Sequence, residues 1–240
     1  MEHSVLQDWK KKSGIVLDGD IEKKLIKYAE LIHVTNSKFN LTGFKSVDEI
    51  IINLIIGSID PFRSMNVPRG TVFADIGAGA GIPGIPLGVY CDKWKGVCID
   101  SNNKKMSFVD SVIQECKIDN MSVCNGRLET LAREQMRNAF DYVFSRALGE
   151  MFFVVEVGAP LLKIGGLLYI YSNITPEDIP QRVKSHLQQL GLSLINRDTY
   201  GDYGIKKSGI LLRKNSDTDI RYPRNMTAIK RDIKRNVKGL

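Results

Sequence analysis

Histidine is scarce in this chain: His3, His33 and His186 are its three, and none lies in a recognisable catalytic context. That argues against chemistry built on an imidazole base. Cysteine is nearly as scarce. Cys91, Cys98, Cys116 and Cys124 stand at no metal-ligand spacing, so no metal site is expected, and three of them fall in apolar segments. They read as buried thiols in a reducing cytoplasm. No apolar run approaches the ~20 residues that a membrane span needs; the longest candidate, Ile50 to Ile59, is interrupted by Asn53, Gly57 and Ser58. The opening MEHSVLQDWKKK has no apolar signal core, which argues against export. Internal repeats and low-complexity linkers are absent too. These gaps leave a cytoplasmic protein with no membrane partner, and nothing in the sequence demands more than a monomer.

What is present is an ordinary globular composition, 43% hydrophobic and 25% charged, over 240 residues. That is enough for one large domain with an appendage. The charge is unevenly placed. Residues 221–240 hold Arg221, Arg224, Lys230, Arg231, Lys234, Arg235 and Lys238 against the single acid Asp232, leaving the rest of the chain one unit of the +7 net charge. A basic tail on a nearly neutral body points to a polyanion; composition alone equally allows a solvated tail.

The spacing of Ile21, Leu25, Tyr28, Ala29, Ile32 and His33 predicts a helix, with Asp18 or Asp20 as its cap. A second helix is expected over Val47 to Phe62, and Pro68-Arg69-Gly70 closes this helical region with a turn. From Thr71 the rhythm changes. The runs TVFAD, GVCID, MSVCN, DYVFS and GGLLYIYS read as strands. Helices are expected through about Cys91, from Asn103 to Lys117, from Glu150 to Leu162 and from Pro176 to Leu190, with a looser polar segment after MSVCN. LSLINRDTY and KKSGILLRK are two last β-prone runs, close enough to form an antiparallel edge. Such alternation predicts an α/β fold with a mainly parallel sheet covered on both faces.

The most specific local feature is Asp75-Ile76-Gly77-Ala78-Gly79-Ala80-Gly81, between a strand and a helix. Glycines there let the chain turn sharply and let a ligand approach the backbone. A dinucleotide site spaces its glycines G-x-G-x-x-G around a pyrophosphate. Here Gly77, Gly79 and Gly81 are spaced G-x-G-x-G behind an acid. Asp75 serves a pyrophosphate poorly and an ammonium well, and S-adenosylmethionine carries an ammonium. Asp100, ending the next strand, is placed to bind ribose hydroxyls. Its plainer alternative is a helix N-cap before Asn103.

Taken together, DIGAGAGIPGIPL, IDSNNKKMSF, NGRLE, FDYVFSRAL and LLKIGGLLYIY resemble the glucose-inhibited division protein B family, with KFNLTGFKSVDEI upstream and RYPR downstream. The G-I-P-G-I-P segment and the S-R-A triplet are the most specific parts of the likeness. The resemblance implies the class I S-adenosylmethionine-dependent, Rossmann-like methyltransferase fold: a mainly parallel seven-stranded sheet with an N-terminal helical extension. Residues 1–68 are then the extension, 69–215 the cofactor-binding domain and 216–240 the basic tail. It implies methylation of N7 of a guanine in 16S ribosomal RNA, on the RNA or the small ribosomal subunit. Carried across by position, Gly77 and Ile82 lie in the cofactor turn, Asp100 and Ser101 by the ribose, and Leu128 and Glu129 beside the adenine. Arg146 faces the cofactor and the incoming base and is the catalytic candidate. Each has a plainer alternative: core for Leu128, a pair with Arg127 or Arg133 for Glu129, a structural ion pair for Arg146.

The chain departs from the family at three places. A His-Phe and an Asp-Ser pair of the family give way to Leu54-Ile55 and Gly57-Ser58, a Lys-Gly pair to Ser172-Asn173, and a Gly/Pro-containing C-terminal signature to NMTAIKRDIKRNVKGL. Guanine N7 has a lone pair and no proton, so attack on a methyl sulfonium needs no base and catalysis rests on positioning. No N-P-P-Y-like motif or Pro-Cys pair follows the fourth strand; Ser145-Arg146-Ala147 stands there. An Arg can donate to guanine O6, whereas a donor on N7 would block the nucleophile. As a helix, the tail would put Arg231, Lys234, Arg235 and Lys238 on one face to follow an RNA backbone; Arg221, Arg224 and Lys230 join them as RNA-binding candidates. Rival readings of the sequence are another methyl acceptor, an NAD-dependent oxidoreductase and a non-catalytic RNA-binding scaffold.

Overall fold

The computed structural model describes residues 4–63, 68–195 and 209–237, with side chains through 234 in the last helix. Two helices open the chain, α1 (Ser4–Ser13) and α2 (Gly19–Asn36). Asp18 caps α2 by accepting from the Asp20 N–H at 2.8 Å. The next helical stretch begins with α3 (Val47–Ile50), fixed by a capping box between Ser46 and Glu49. It passes through a π-helical turn (Ile51–Ile56), α4 (Gly57–Ile59) and a 3-10 turn (Asp60–Phe62). The stretch therefore spans the expected Val47 to Phe62, but with one wide turn that the apolar pattern does not announce.

Strands and helices then alternate: β1 (Val72–Ile76), α5 (Gly84–Tyr90), β2 (Lys95–Asp100), α6 (Asn103–Glu115), β3 (Met121–Asn125), α7 (Leu128–Leu131), β4 (Phe140–Arg146), α8 (Met151–Gly158), β5 (Leu162–Tyr171), α9 (Gln181–Gln189), β6 (Leu192–Ile195), β7 (Gly209–Lys214) and α10 (Met226–Val237). They build one seven-stranded sheet in the order β3-β2-β1-β4-β5-β7-β6. β7 runs antiparallel to β5 and to β6; the other pairings are parallel. The antiparallel edge expected from the last two β-prone runs is present, although residues 196–200 and 206–208 of those runs lie outside the described residues.

Three boundaries differ from the sequence expectation by three residues or more, each for a local reason. α9 starts at Gln181 instead of Pro176, because Pro180 disfavours helix at the residue before it and Asp178 closes a turn onto the Thr175 N–H at 2.9 Å. α8 stops at Gly158 and tightens into a 3-10 turn that contains Pro160. β5 starts earlier, at Leu162, because a bulge near Gly165 (φ +85°) lets the pairing resume at Leu167.

Alternate residues of each strand face opposite layers. Phe73, Phe144 and Tyr169 face a core shared with Trp9, Tyr28, Ile32, Ile55 and Phe62 of the N-terminal helices. Ala74, Val143 and Leu168 face a second core with Phe152, Val155, Val183, Leu187 and Ile229. Phe62 plants its ring edge-on against Phe144 (5.1 Å) and Tyr169 (4.9 Å), which locks the N-terminal helices to the sheet. Among the described residues, no helix is long and apolar enough to cross a membrane and no His/Cys/Asp/Glu cluster could hold a metal.

Candidate active site

The sheet reverses strand order between β1 and β4, and open α/β sheets bind ligands at the carboxyl ends of strands beside such a reversal. There β1 runs into the glycine loop. Gly77 (φ +68°) and Ala78 both donate to the Ile99 carbonyl, at 2.8 and 3.0 Å, and stitch the loop to β2. A Cβ on Gly77 would drive into Leu148 Cδ1. Gly79 (φ +58°) instead faces open space, with Lys105 Nζ nearest at 3.9 Å. The loop is also held from behind: Tyr28 of α2 donates its hydroxyl to the Ala80 carbonyl at 2.7 Å.

Asp75 is fully buried. Its Oδ2 accepts from the Gly84 N–H at 2.8 Å, while Oδ1 has no partner. Burial pushes the carboxyl up to about 7 against the pull of the Gly84 bond, and the Asp100 charge adds to the rise. Asp100 is more open. Its Oδ2 accepts from the Gly79 N–H at 3.0 Å and its Oδ1 from the Asn102 N–H at 2.9 Å. The cap of α6 is Asn102, which accepts from Lys105, so the N-cap alternative for Asp100 falls away.

Asp100 lines a cavity of about 200 Å³ together with Gly77, Ser101, Leu128, Glu129 and Met226. Five of the expected cofactor residues thus converge. Gly126, Arg127, Leu148 and Phe153 complete the lining. Glu129 also sits 3.7 Å from Arg127, and Leu128 belongs to the second core, so both plainer readings hold alongside the cavity. Gly81 and Ile82 are buried beneath the loop and do not line this cavity.

Arg146 ends β4 and lines a second cavity of about 280 Å³ with Phe44, Asn53, Ala147, Tyr171, Ser172 and Asn173. No carboxylate or imidazole is among these seven residues. Arg146 Nη2 donates to the Asn53 carbonyl at 2.9 Å, its guanidinium lies 5.9 Å from the Tyr171 ring centre, and its buried Nη1 has no partner. The ion-pair alternative for Arg146 is not what the geometry shows. Asn53 lies in the π-helical turn, a local form that recurs at functional sites. Tyr171 is fixed in turn by donating to the Ser58 carbonyl at 2.7 Å. Leu54 and Ile55, where the family carries His-Phe, are buried in the core. Phe44, Asn53 and Tyr171 carry no chemical signal in the sequence, since only the fold brings them to Arg146.

The basic candidates divide. Arg221, Lys230, Arg231 and Lys234 are exposed. Arg224 is instead tied to Glu156 (Nη2 to Oε2, 2.8 Å) and Asp232 (2.5 Å). Arg235 belongs to α10, but its side chain and all of Lys238 lie outside the described residues.

Residues 21–195 match the family of rRNA small subunit methyltransferase G. The chain belongs to that family. Among its relatives are the ribosomal RNA small subunit methyltransferases G of Syntrophomonas wolfei, 32% identical across 83% of this chain and 93% of the relative, and of Alkaliphilus metalliredigens, 28% identical across 96% and 98%. An S-adenosylmethionine-dependent methyltransferase from Aquifex aeolicus shares the fold, with a TM-score of 0.52 at 15% identity over 69% of this chain and 93% of that one. As a member of the family, the chain has the class I methyltransferase fold and depends on S-adenosylmethionine. Its residues fit that cofactor. The unpartnered Asp75 Oδ1 asks for a donor, Gly79 leaves the loop open to close approach, and Asp100 and Ser101 border the cavity.

Proposed function

We propose that this protein, acting as a monomer in the cytoplasm, transfers the methyl group of S-adenosylmethionine to N7 of a guanine in 16S ribosomal RNA. The observation that carries this reading is the pairing of two cavities along one short segment. Leu148 lines the first together with five of the expected cofactor residues; Arg146 and Ala147 line the second, which has no carboxylate or imidazole. A proton-free nucleophile such as N7 is the acceptor that suits a cavity without a base.

Bound S-adenosylmethionine supplies an electrophilic methyl on its sulfonium. Asp75 braces the loop through Gly84 and offers Oδ1 to the ammonium. Gly77 and Gly79 let the backbone come close, Asp100 and Ser101 take the ribose, and Leu128 and Glu129 flank the adenine. Gly81 and Ile82 support the loop from beneath. Arg146 is held at Nη2 by Asn53, and its unpartnered Nη1 donates to guanine O6, leaving N7 exposed to the methyl. Phe44 and Tyr171 give the base aromatic walls. Arg221, Lys230, Arg231 and Lys234 contact RNA phosphates without reading sequence, with residues 1–68 as a buttress and 216–240 as the RNA-facing appendage.

Transfer of labelled methyl to 16S ribosomal RNA, followed by mapping of the modified base, tests the reading. The label is expected on N7 of one guanine. Label on another base, or none at all on free RNA and on the small subunit, refutes it. Arg146→Ala should lower turnover by about 100-fold, the scale of losing one preorganised donor.

A further inference from the structure

We infer that Arg224 is a positioning residue for the cofactor cavity, and that through it RNA contact on α10 and cofactor uptake reinforce each other. This rests on the methyltransferase reading above.

Met226 is the first residue of α10, and it lines the same cavity as Asp100, Leu128 and Glu129, which lie far from it in sequence. Its place depends on what precedes it. Arg224 donates through its backbone N–H and Nε to Glu156 Oε1, each at 2.9 Å, and through Nη2 to Oε2 at 2.8 Å. Its remaining nitrogen, Nη1, reaches Asp232, two turns along α10. Glu156 is wholly buried in α8, and its Oε2 also meets His186 Nε2 at 3.0 Å. That imidazole is stacked on Phe152 with ring centres 4.1 Å apart. The backbone on the other side is held as well. Arg133 Nε donates to the Pro223 carbonyl at 2.7 Å and Arg137 Nη1 to the Tyr222 carbonyl at 2.9 Å. Both arginines follow α7, whose first two residues border the cavity.

A buried ion pair is a poor way to gain stability, because desolvating the charges offsets most of their attraction. What this one provides is registry. It sets the start of α10 against the cavity within the reach of four directed hydrogen bonds, so that Met226 closes one wall. The same helix turns Lys230, Arg231 and Lys234 outward. Phosphate bound there holds α10 in the arrangement that keeps Met226 in the wall. A cofactor resting on Met226 holds α10 ready for phosphate. By linkage the two gains must be equal.

The test is isothermal titration of the full chain with S-adenosylmethionine, with and without a fragment of 16S ribosomal RNA, for wild type, Met226→Ala, Arg224→Gln and Arg224→Lys. Met226→Ala and Arg224→Gln should each weaken the cofactor about tenfold at unchanged stoichiometry, equal to about 1.4 kcal/mol. Arg224→Lys, which keeps the charge and loses the fork, should fall between. RNA should tighten the cofactor several-fold in wild type and not in Arg224→Gln. Wild-type affinity in Arg224→Gln, or an undiminished RNA effect in it, overturns the inference and leaves the methyltransferase reading standing. If Arg224→Gln folds poorly, Met226→Ala decides, since it leaves the clamp in place; unaltered affinity there removes the wall. Failure of wild type itself to take up the cofactor removes the methyltransferase reading along with the inference.

Discussion

Replacing Asp75 by Asn should make the ligand-free protein more stable at pH 8 and less stable at pH 4. Burial lifts this carboxyl from its ordinary 3.8 to about 7. A carboxyl whose folded value lies above its unfolded one costs stability as pH rises between the two, and the full cost is present above the folded value. At ~1.4 kcal/mol per pH unit, the cost is about 4 kcal/mol at pH 8. The Asn side chain carries no charge, so that cost disappears. Its carbonyl keeps the bond from Gly84, but its amide is left buried without an acceptor, a penalty of about 1–3 kcal/mol. The net gain at pH 8 is then about 1–3 kcal/mol. At pH 4 the wild-type carboxyl is almost wholly protonated in the folded state, so only the amide penalty remains and the sign reverses. Urea unfolding followed by tryptophan fluorescence measures both, because Trp94 packs on Phe73 of β1 at 5.8 Å. The same variant should bind S-adenosylmethionine at least about tenfold more weakly, having lost the acceptor proposed for its ammonium. An Asp75→Asn variant that proves less stable than wild type at both pH values would refute the desolvation argument.

Gly77→Ala places a methyl against Leu148 at a positive φ, so it should destabilise the fold by about 2 kcal/mol or more and abolish cofactor binding, measured by thermal melting and titration. Tyr28→Phe leaves the buried Ala80 carbonyl without its donor; a loss of about 1–3 kcal/mol and a raised KM for the cofactor are expected, with kcat nearly kept. Burial alone would raise Glu156, but the bonds from His186 and Arg224 override it and hold the carboxyl at about 2. Its stabilisation is therefore complete above about pH 4.5 and is lost as pH falls toward 2, some ~3 kcal/mol in all. Glu156→Gln should lack that acid limb in a comparison of stability against pH. Substituting Lys230, Arg231 and Lys234 by Ala should flatten the salt dependence of RNA affinity by a slope of about 2–3 in a log–log plot.

Much of this architecture is legible in the sequence because it is local. Each strand of the parallel sheet is a short β-prone run closed by a turn, and Gly77 with Asp100 follow from their places at strand ends. What the sequence leaves unread is equally physical. The π-helical turn lies inside an apolar run that only Asn53 interrupts, and one extra residue per turn leaves no mark on hydrophobic spacing. Asp100 and Asn102 are both good caps by residue type, and only the Asn102–Lys105 bond decides between them. Arg224 reads as one more tail cation, since its partner Glu156 is far off in sequence. Met226 carries no signal at all, because its role exists only once the chain's last helix folds back.

Bonds that reach the site from the first sixty residues involve Tyr28, Asn53 and Ser58, and they grip main chain or a strand-end side chain near the glycine loop. The amino-terminal helices are therefore not a detachable module. An engineer who pared the enzyme down to its sheet and crossover helices would keep the proposed cofactor residues in the sequence and lose the scaffolding that aims them. Conversely, altered acceptor preference should be sought by redesigning that helical buttress, which touches the base-sized cavity without bordering the one assigned to the adenosine.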